Sequence, residues 1–402
     1  MKNLAILSIV LANTLFATSI SELVENSLSS SFDLKALETK VQIADQQIAI
    51  SKNWQNPILV LKSNEIMLNK HKLNNNKEYG VEFIQEIPIG NKLEIEKQIA
   101  IKDRNIQSFD LEDKKLELKS KLNLFAYTIL IYEKRENLLD EYLQNLEKLY
   151  NLNKELLKID KSDLNTILNT KINTQKIKTE QDILKTKIDN LYLNLEQITY
   201  EKYTKIDDSL AFKNINETKL LEDLSSHPKI KSNEEEILKY KDYSKLEEAK
   251  KFSNVVLGLE YMQNNIQDYA NISLGFTLPI YKTENINKIK AKLNANETQN
   301  KKEIIKKSFE IETKIILNNI KQNITSFNTY QNEIIPLKQS IQNIINQNIK
   351  LDISKLEDSI NNLNELIDLE LKSLEYLEEY FTNYSRLIYY SNQSIESTKG
   401  IK

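Results

Sequence analysis

Two periodicities alternate along the chain. Between residues 21 and 53, Leu34, Leu37, Val41, Ala44, Ile48 and Ile50 recur mostly at three- and four-residue steps. That spacing predicts an amphipathic helix, stopped by Trp54-Gln55-Asn56-Pro57. From Ile58 to Leu68 the pattern is extended, with Ile58, Val60 and Ile66 on one parity and Leu59, Leu61 and Met67 on the other. Asn69 to Lys77 reads as a polar loop. Tyr79 to Ile87 then alternates cleanly: Tyr79, Val81, Phe83 and Ile87 project to one side, and Gly80, Glu82, Ile84 and Glu86 to the other. After Pro88 a helical pattern runs from about Asn91 to Lys158 without Pro, and without Gly beyond Gly90. At 1.5 Å per residue such a segment is on the order of 100 Å long, too long for a compact domain. DKSDL, Asp160 to Leu164, reads as a reversal, with Ser162 or Asp163 able to cap a returning helix that continues to about Tyr203. Residues 205–216 read as a linker.

The same order returns. A helix near 217–252 carries a breaker at His227-Pro228, and a hairpin spans 254–279. In it Val255, Leu257, Leu259 and Tyr261 oppose Val256, Gly258, Glu260 and Met262, while Ile272, Leu274, Phe276 and Leu278 oppose Asn271, Ser273, Gly275 and Thr277. Three strands of four thus pair an apolar face with a polar one. A helix over 285–350 follows, then a reversal at DISKL and a helix to about 390. Its seam is Ile316, Ile320, Ile324, Phe327, Ile334, Leu337, Ile341 and Ile344, with Pro336 expected to kink it. Pro88 and Pro279 lie 191 residues apart, and Ser162 and Ser354 lie 192 apart. The chain therefore reads as a tandem duplication: residues 18–204 with hairpin 57–88, the linker, residues 217–392 with hairpin 254–279, and a tail at 393–402.

Composition sharpens this picture. Only five Gly and five Pro punctuate 402 residues, and 28% of residues are charged, the profile of long helices. The net charge of −3 comes from interspersed acids and bases, so no nucleic-acid surface is implied. With no Cys there is neither a disulfide nor a thiolate metal site. His71 and His227 have no ligand constellation around them, and no phosphate loop, nucleophile elbow or zinc motif occurs, so neither catalysis nor a cofactor or metal is expected. Residues 1–17 carry Lys2, an apolar core from Leu4 to Phe16 and a small residue, Ala17, which reads as a secretory signal rather than a membrane anchor. Any membrane insertion of the rest then falls to the strands. Four strands cannot close a barrel, since the smallest membrane barrels have about eight. An open edge in lipid leaves backbone groups unpaired at several kcal/mol each, so insertion requires an oligomer.

The signal, helix, hairpin and long helix pair, then the same again, resemble the TolC-type outer-membrane efflux family. The matching residues are Gln85-Glu86-Ile87-Pro88-Ile89-Gly90, Thr277-Leu278-Pro279-Ile280-Tyr281, Ser226-His227-Pro228 and Ile334-Ile335-Pro336. The resemblance implies a mainly α fold with a small β part. It implies a homotrimer in which a 12-helix barrel in the periplasm joins a 12-stranded transmembrane β-barrel, four strands per protomer. It also implies an outer-membrane lipid environment, a periplasmic adaptor and an inner-membrane pump as partners. Family members carry a Gly before each tip reversal; KELLKIDKSDL and NIKLDISKLED have none.

On this resemblance Asp163, Glu357 and Asp358 are candidates for a periplasmic gate, where a threefold carboxylate ring would favour cations. Asp163 as a helix cap and Glu357 as a surface acid are the competing readings. Glu82, Glu86 and Glu260 are candidates for the barrel lumen, because carboxylates facing lipid are disfavoured. Pro57, Pro88 and Pro279 mark the passages between strand and helix. Tyr79 and Tyr261 suit an interfacial girdle or ordinary strand positions, and Trp54 suits the opposite interface or a subunit contact. Two functions follow: a passive outer-membrane channel of a tripartite efflux or type I secretion system, or a secreted or surface coiled-coil protein without a pore.

Overall fold

A computed structural model of the chain describes residues 18–64, 78–160, 162–264, 266–349 and 355–391. The signal segment, Ile66, Met67, the loop with His71, Ser354 and the tail lie outside the described residues. The first helical stretch is two helices, α1 (Ile20–Ser30) and α2 (Phe32–Ile50), not the single helix that periodicity suggests. Serines cause the break: Ser27 Oγ donates to the Leu23 carbonyl (2.5 Å) and Ser30 Oγ to that of Asn26 (2.9 Å), contacts that compete with helix propagation. α1 begins with a reciprocal cap between Ser19 and Glu22.

Copy one continues with β1 (Ile58–Asn64), β2 (Glu78–Ile87), α3 (Lys92–Leu157) and α4 (Leu164–Thr199). α3 is 66 residues long and unbroken. Copy two runs through α5 (Glu217–Asp223), one 3-10 turn, α6 (Pro228–Ala249), β3 (Val255–Asn264), β4 (Tyr269–Phe276), α7 (Thr283–Thr329), a π-helical turn at Tyr330–Ile334, α8 (Ile335–Ile349) and α9 (Leu356–Tyr390). The breaker at His227-Pro228 starts α6: Pro228 occupies its first turn, and the Lys229 N–H donates to His227 Nδ1 at 3.2 Å. β4 ends at Phe276, two residues short of the expected Leu278.

Pro336 is preceded by the π turn, which widens the helix where proline has no N–H to give and its ring would strike the preceding turn. A π turn inserts one residue, and the buried face downstream moves accordingly. Ile335 and Gln342 are buried, whereas Leu337, Ile341 and Ile344 of the expected seam are 68%, 47% and 59% exposed. The seam holds up to Ile316 and Ile320 and is then displaced by one position. The duplication agrees: its period is 191 before this point and 192 after it, so copy two holds one residue more between the two landmarks.

The chain forms two compact units that cut across the repeats. One holds residues 33–113 and 226–308, with α2, α6, the sheet and the starts of α3 and α7. The other gathers α1, α4, α5, α8, α9, the rest of α3 and α7, and the linker. Its core is apolar and aromatic. Leu122, Ala126, Ile129, Ile131 and Leu139 of α3 are fully buried, and Tyr127 stacks on Phe381 of α9 with ring centroids 4.0 Å apart. The linker is pinned rather than free: Thr18 bridges Ile206, and the Lys213 N–H donates to Tyr380 Oη at 2.7 Å. Nothing in its composition announces this docking, because the partners lie far away in sequence.

Candidate functional site: a two-faced sheet and two helix reversals

The four strands form one antiparallel sheet in the order β1-β2-β3-β4. The two hairpins pair with each other through β2 and β3, from Glu78 opposite Asn264 to Ile87 opposite Val255. With this register every charged side chain of the four strands falls on one face. Glu82 stands opposite Glu260, and Lys62 from β1 bridges both carboxylates at 2.7 Å each. Asn271 of β4 donates to the free oxygen of Glu260 at 2.7 Å, completing a polar belt across all four strands. Toward the loops, Glu78 accepts from Asn64 and Asn264 at 3.3 Å and from Tyr269 Oη at 3.1 Å. At the other end of the sheet Glu86 accepts from Asn254 Nδ2 at 2.6 Å, and Lys92 binds the same asparagine through Oδ1 at 2.5 Å. The three expected acids therefore share a face, and Glu82 and Glu260 meet there. Sequence reasoning missed Lys62 and Glu78. β1 carries apolar residues on both parities, and only pairing with β2 assigns Lys62 to the charged side.

The opposite face carries Leu59, Leu61, Tyr79, Val81, Phe83, Leu257, Leu259, Tyr261, Ile272, Leu274 and Phe276 and no charge. Leu61 and Ile272 are 82% and 75% exposed, so an apolar sheet face lies bare on the single chain. Tyr79 and Tyr261 sit on it. β1 and β4 are edges with no second neighbour among the described strands.

Pro57 directly precedes β1 and Pro88 directly follows β2, while Pro279 lies three residues beyond β4. After Pro88 the chain turns through left-handed backbone at Gly90 (φ 76°) and Asn91 (φ 60°), and after Pro279 through Lys282 (φ 57°). Asn91 and Lys282 are again 191 residues apart, so both arms start from the same backbone device. At Gly90 only glycine suits, since its φ is positive and a Cβ would press on the Ala249 carbonyl at 3.3 Å.

At the first reversal Asp160 takes the left-handed position (φ 56°) that a glycine would usually fill. Asp163 caps α4 by accepting from the Thr166 N–H at 2.8 Å, a hydrogen bond that holds its carboxyl below the usual aspartate range. Ser162 does not cap; its hydroxyl donates to Asn153 Oδ1 at 3.1 Å and ties the turn back to α3. Glu357 and Asp358 lie in the first turn of α9, where Asp358 pairs with Lys355 at 3.2 Å. Neither is joined to Asp163 by a hydrogen bond or ion pair among the described residues. Trp54 is exposed between α2 and β1.

Among the described residues no group of three or more His, Asp or Glu could hold a metal, and no helix is long and apolar enough to cross a membrane. No protein-family model and no curated protein sequence matches the chain. Solved structures do. The fold is that of outer-membrane channels of the TolC type. It is similar to the Campylobacter jejuni CmeC outer membrane channel at 15% identity, covering 92% of this chain and 85% of that one, with a TM-score of 0.75. CusC, a protein that forms a transmembrane channel, gives 14%, 93%, 92% and 0.76. The open state of the Neisseria gonorrhoeae MtrE outer membrane channel gives 13%, 92%, 88% and 0.70. At these identities the likeness is one of fold.

Proposed function

We propose that this chain is the outer-membrane channel of a tripartite efflux or type I secretion system in a Gram-negative bacterium, conducting substrates passively from an inner-membrane pump and its periplasmic adaptor. The observation that carries the reading is the two-faced sheet. A bare apolar face, an opposite face that holds every charge of the strands and two unpaired edges suit lipid outside, water inside and neighbouring copies on either side. Three copies give twelve strands and a closed barrel, with β1 of one chain beside β4 of the next. The lumen then carries Glu78, Glu82, Glu86 and Glu260 against Lys62, and Tyr79 and Tyr261 lie toward the outer interface. The apolar stripes of α4 (Leu164, Leu168, Ile172) and α8 (Leu337, Ile341, Ile344), exposed on one chain, pack between copies in the helical tunnel. Asp163, Glu357 and Asp358 contribute to its periplasmic gate.

Reconstitution of the purified trimer in planar bilayers tests this reading. Stepwise ohmic conductance is expected, and well-folded trimers without conductance sink it. Asp163→Ala combined with Glu357→Ala and Asp358→Ala is expected to raise the current or reduce cation preference; an unchanged reversal potential removes these residues from the gate. A poreless coiled-coil protein leaves the bare apolar sheet face unexplained, and would be released by alkaline washing where a barrel is retained.

A further inference from the structure

The four long helices of the larger unit lie side by side, and their contacts give the order. α4 meets α3 through Tyr192 Oη and Glu133 at 3.1 Å, and α3 meets α9 through Tyr132 Oη and Glu378 at 3.0 Å. α9 in turn meets α7 through Tyr390 and Phe309, with ring centroids 5.1 Å apart. One cleft of about 690 Å³ touches all four helices. A cavity bordered by four neighbours in a row lies on the concave side of a curved wall. The linker lies on the other side, where Phe212 meets the ring of Tyr380 at 4.7 Å. At about 100° per residue, Glu375, Glu378, Thr382 and Arg386 of the cleft centre roughly opposite Tyr380 and Tyr384 on α9.

The charges of the cleft are unevenly satisfied. Arg135 is held by Glu378 at 3.5 Å and Glu375 at 3.7 Å. Glu379, Arg386 and Lys187 also line the cleft, and none of them forms an ion pair among the described residues; the Lys187 ammonium rests 5.9 Å from the Tyr132 ring. Asn319, Gln322 and Asn323 of α7 line it too, without a hydrogen-bond partner among the described residues, although Asn323 is only 4% exposed. The polar atoms of Asn323 are not among the buried unpartnered ones, so they open on the water of the cleft and can be met by a ligand. The composition points to the same place. The chain has three arginines, Arg104, Arg135 and Arg386, against 52 lysines, and two of the three line this cleft. A guanidinium offers the planar fork that matches a carboxylate, which an ammonium does not.

We propose that this cleft binds peptide-like zwitterions, with Glu379 taking the ammonium, Arg386 taking the carboxylate, and the α7 amides meeting the peptide groups between them. Glu379 and Arg386 are two helical turns apart, about 10 Å along α9. An extended tripeptide spans about 10 Å, and the cleft volume falls in the range of roughly 300–1,000 Å³ usual for small-molecule sites. The proposal rests on the channel reading in one respect, that the concave face is then the inner wall of the tunnel and lies on the substrate's path.

Calorimetry or saturation-transfer NMR on the full chain in detergent tests it with three matched probes: triglycine, N-acetyltriglycine and triglycine amide. Triglycine is expected to bind saturably and both singly charged probes at least tenfold more weakly. Arg386→Gln and Glu379→Gln should each weaken triglycine at least tenfold, while Arg386→Lys, which keeps the charge and loses the fork, falls between the parent and Arg386→Gln. Both side chains are at the surface of α9, so these variants fold. No binding of triglycine, binding unchanged in both Gln variants, or N-acetyltriglycine binding as well as triglycine overturns the proposal. Bilayer conductance is read separately: conductance without binding sinks the cleft alone, and binding without conductance sinks the channel reading while the cleft stands.

Discussion

The two long arms begin alike and end differently. Each leaves the sheet through a proline and a left-handed residue 191 positions from its counterpart, and each opens a helix directly afterward, at Lys92 and at Thr283. α3 then runs unbroken, whereas the arm of copy two absorbs an extra residue in the π turn before Pro336. One residue rotates everything beyond it by about 100°. The consequence is a different interface. Near its tip, copy two buries Gln342, which donates to Ser359 Oγ at 2.6 Å and accepts from Asn362 Nδ2 at 2.6 Å, while its isoleucines face outward. In copy one the corresponding part of α3 buries Leu139, Leu146 and Leu149 beside Asn145 and Asn153. Both arms therefore bury amides near their tips, but copy one sets them among buried leucines, whereas copy two turns Ile341 and Ile344 outward. A small change in residue count, not a change in hydrophobicity, separates them.

The largest test of this difference is in the core. Phe381→Ala removes the ring stacked on Tyr127 and is expected to cost about 3–5 kcal/mol, whereas Asp189→Ala, 192 positions earlier and exposed, stays within about 0.5 kcal/mol; urea unfolding of the two variants measures the gap. The register comes next. The chain has no cysteine, so Gln342→Cys with Ser359→Cys should crosslink on oxidation and Ile341→Cys with Ser359→Cys should not, read on a denaturing gel. The reverse outcome would place the buried face where sequence periodicity alone puts it. Deleting Glu333 removes the inserted residue and should preserve the Gln342–Ser359 crosslink, although Pro336 then stands in regular α-helix at a cost of about 3 kcal/mol. Loss of the crosslink would show that the π turn does not set the rotation.

The smallest expected effect concerns pH. Burial raises the carboxyl groups of Glu133 in copy one and Glu370 in copy two above the ordinary glutamate range. A native state that binds its proton more tightly than the unfolded chain is disfavoured above the raised value and relieved as pH falls through it. Glu133→Gln and Glu370→Gln should each raise the melting temperature at pH 7 by on the order of 1 °C, because partial contact with water screens the charge. The gain should vanish below the ordinary glutamate range. Asp163 has the opposite sign: its lowered carboxyl supports α4 above the ordinary aspartate range and loses that support as pH falls through the lowered value.

Much of the fold was legible in local pattern. Strict alternation assigned the faces of β2, β3 and β4, the prolines marked the passages, and Asp163 could be read as a cap, because each depends on a residue and its near neighbours. Local pattern could not assign β1, whose Leu59 and Val60 are equally apolar, and it had no access to the bridge from Lys62 to Glu82 and Glu260, which exists only through two cross-strand pairings. The pinned linker and the paired and unpaired charges of the cleft are likewise products of partners distant in sequence.

By itself the sequence determined the elements, their duplication and the two-faced strands, since dihedral preference and side-chain period are properties of short stretches. Only the tertiary structure decided which residues meet. The clearest case is the seam of copy two, where the period was read correctly and one residue in a π turn rotated its downstream half by about 100°.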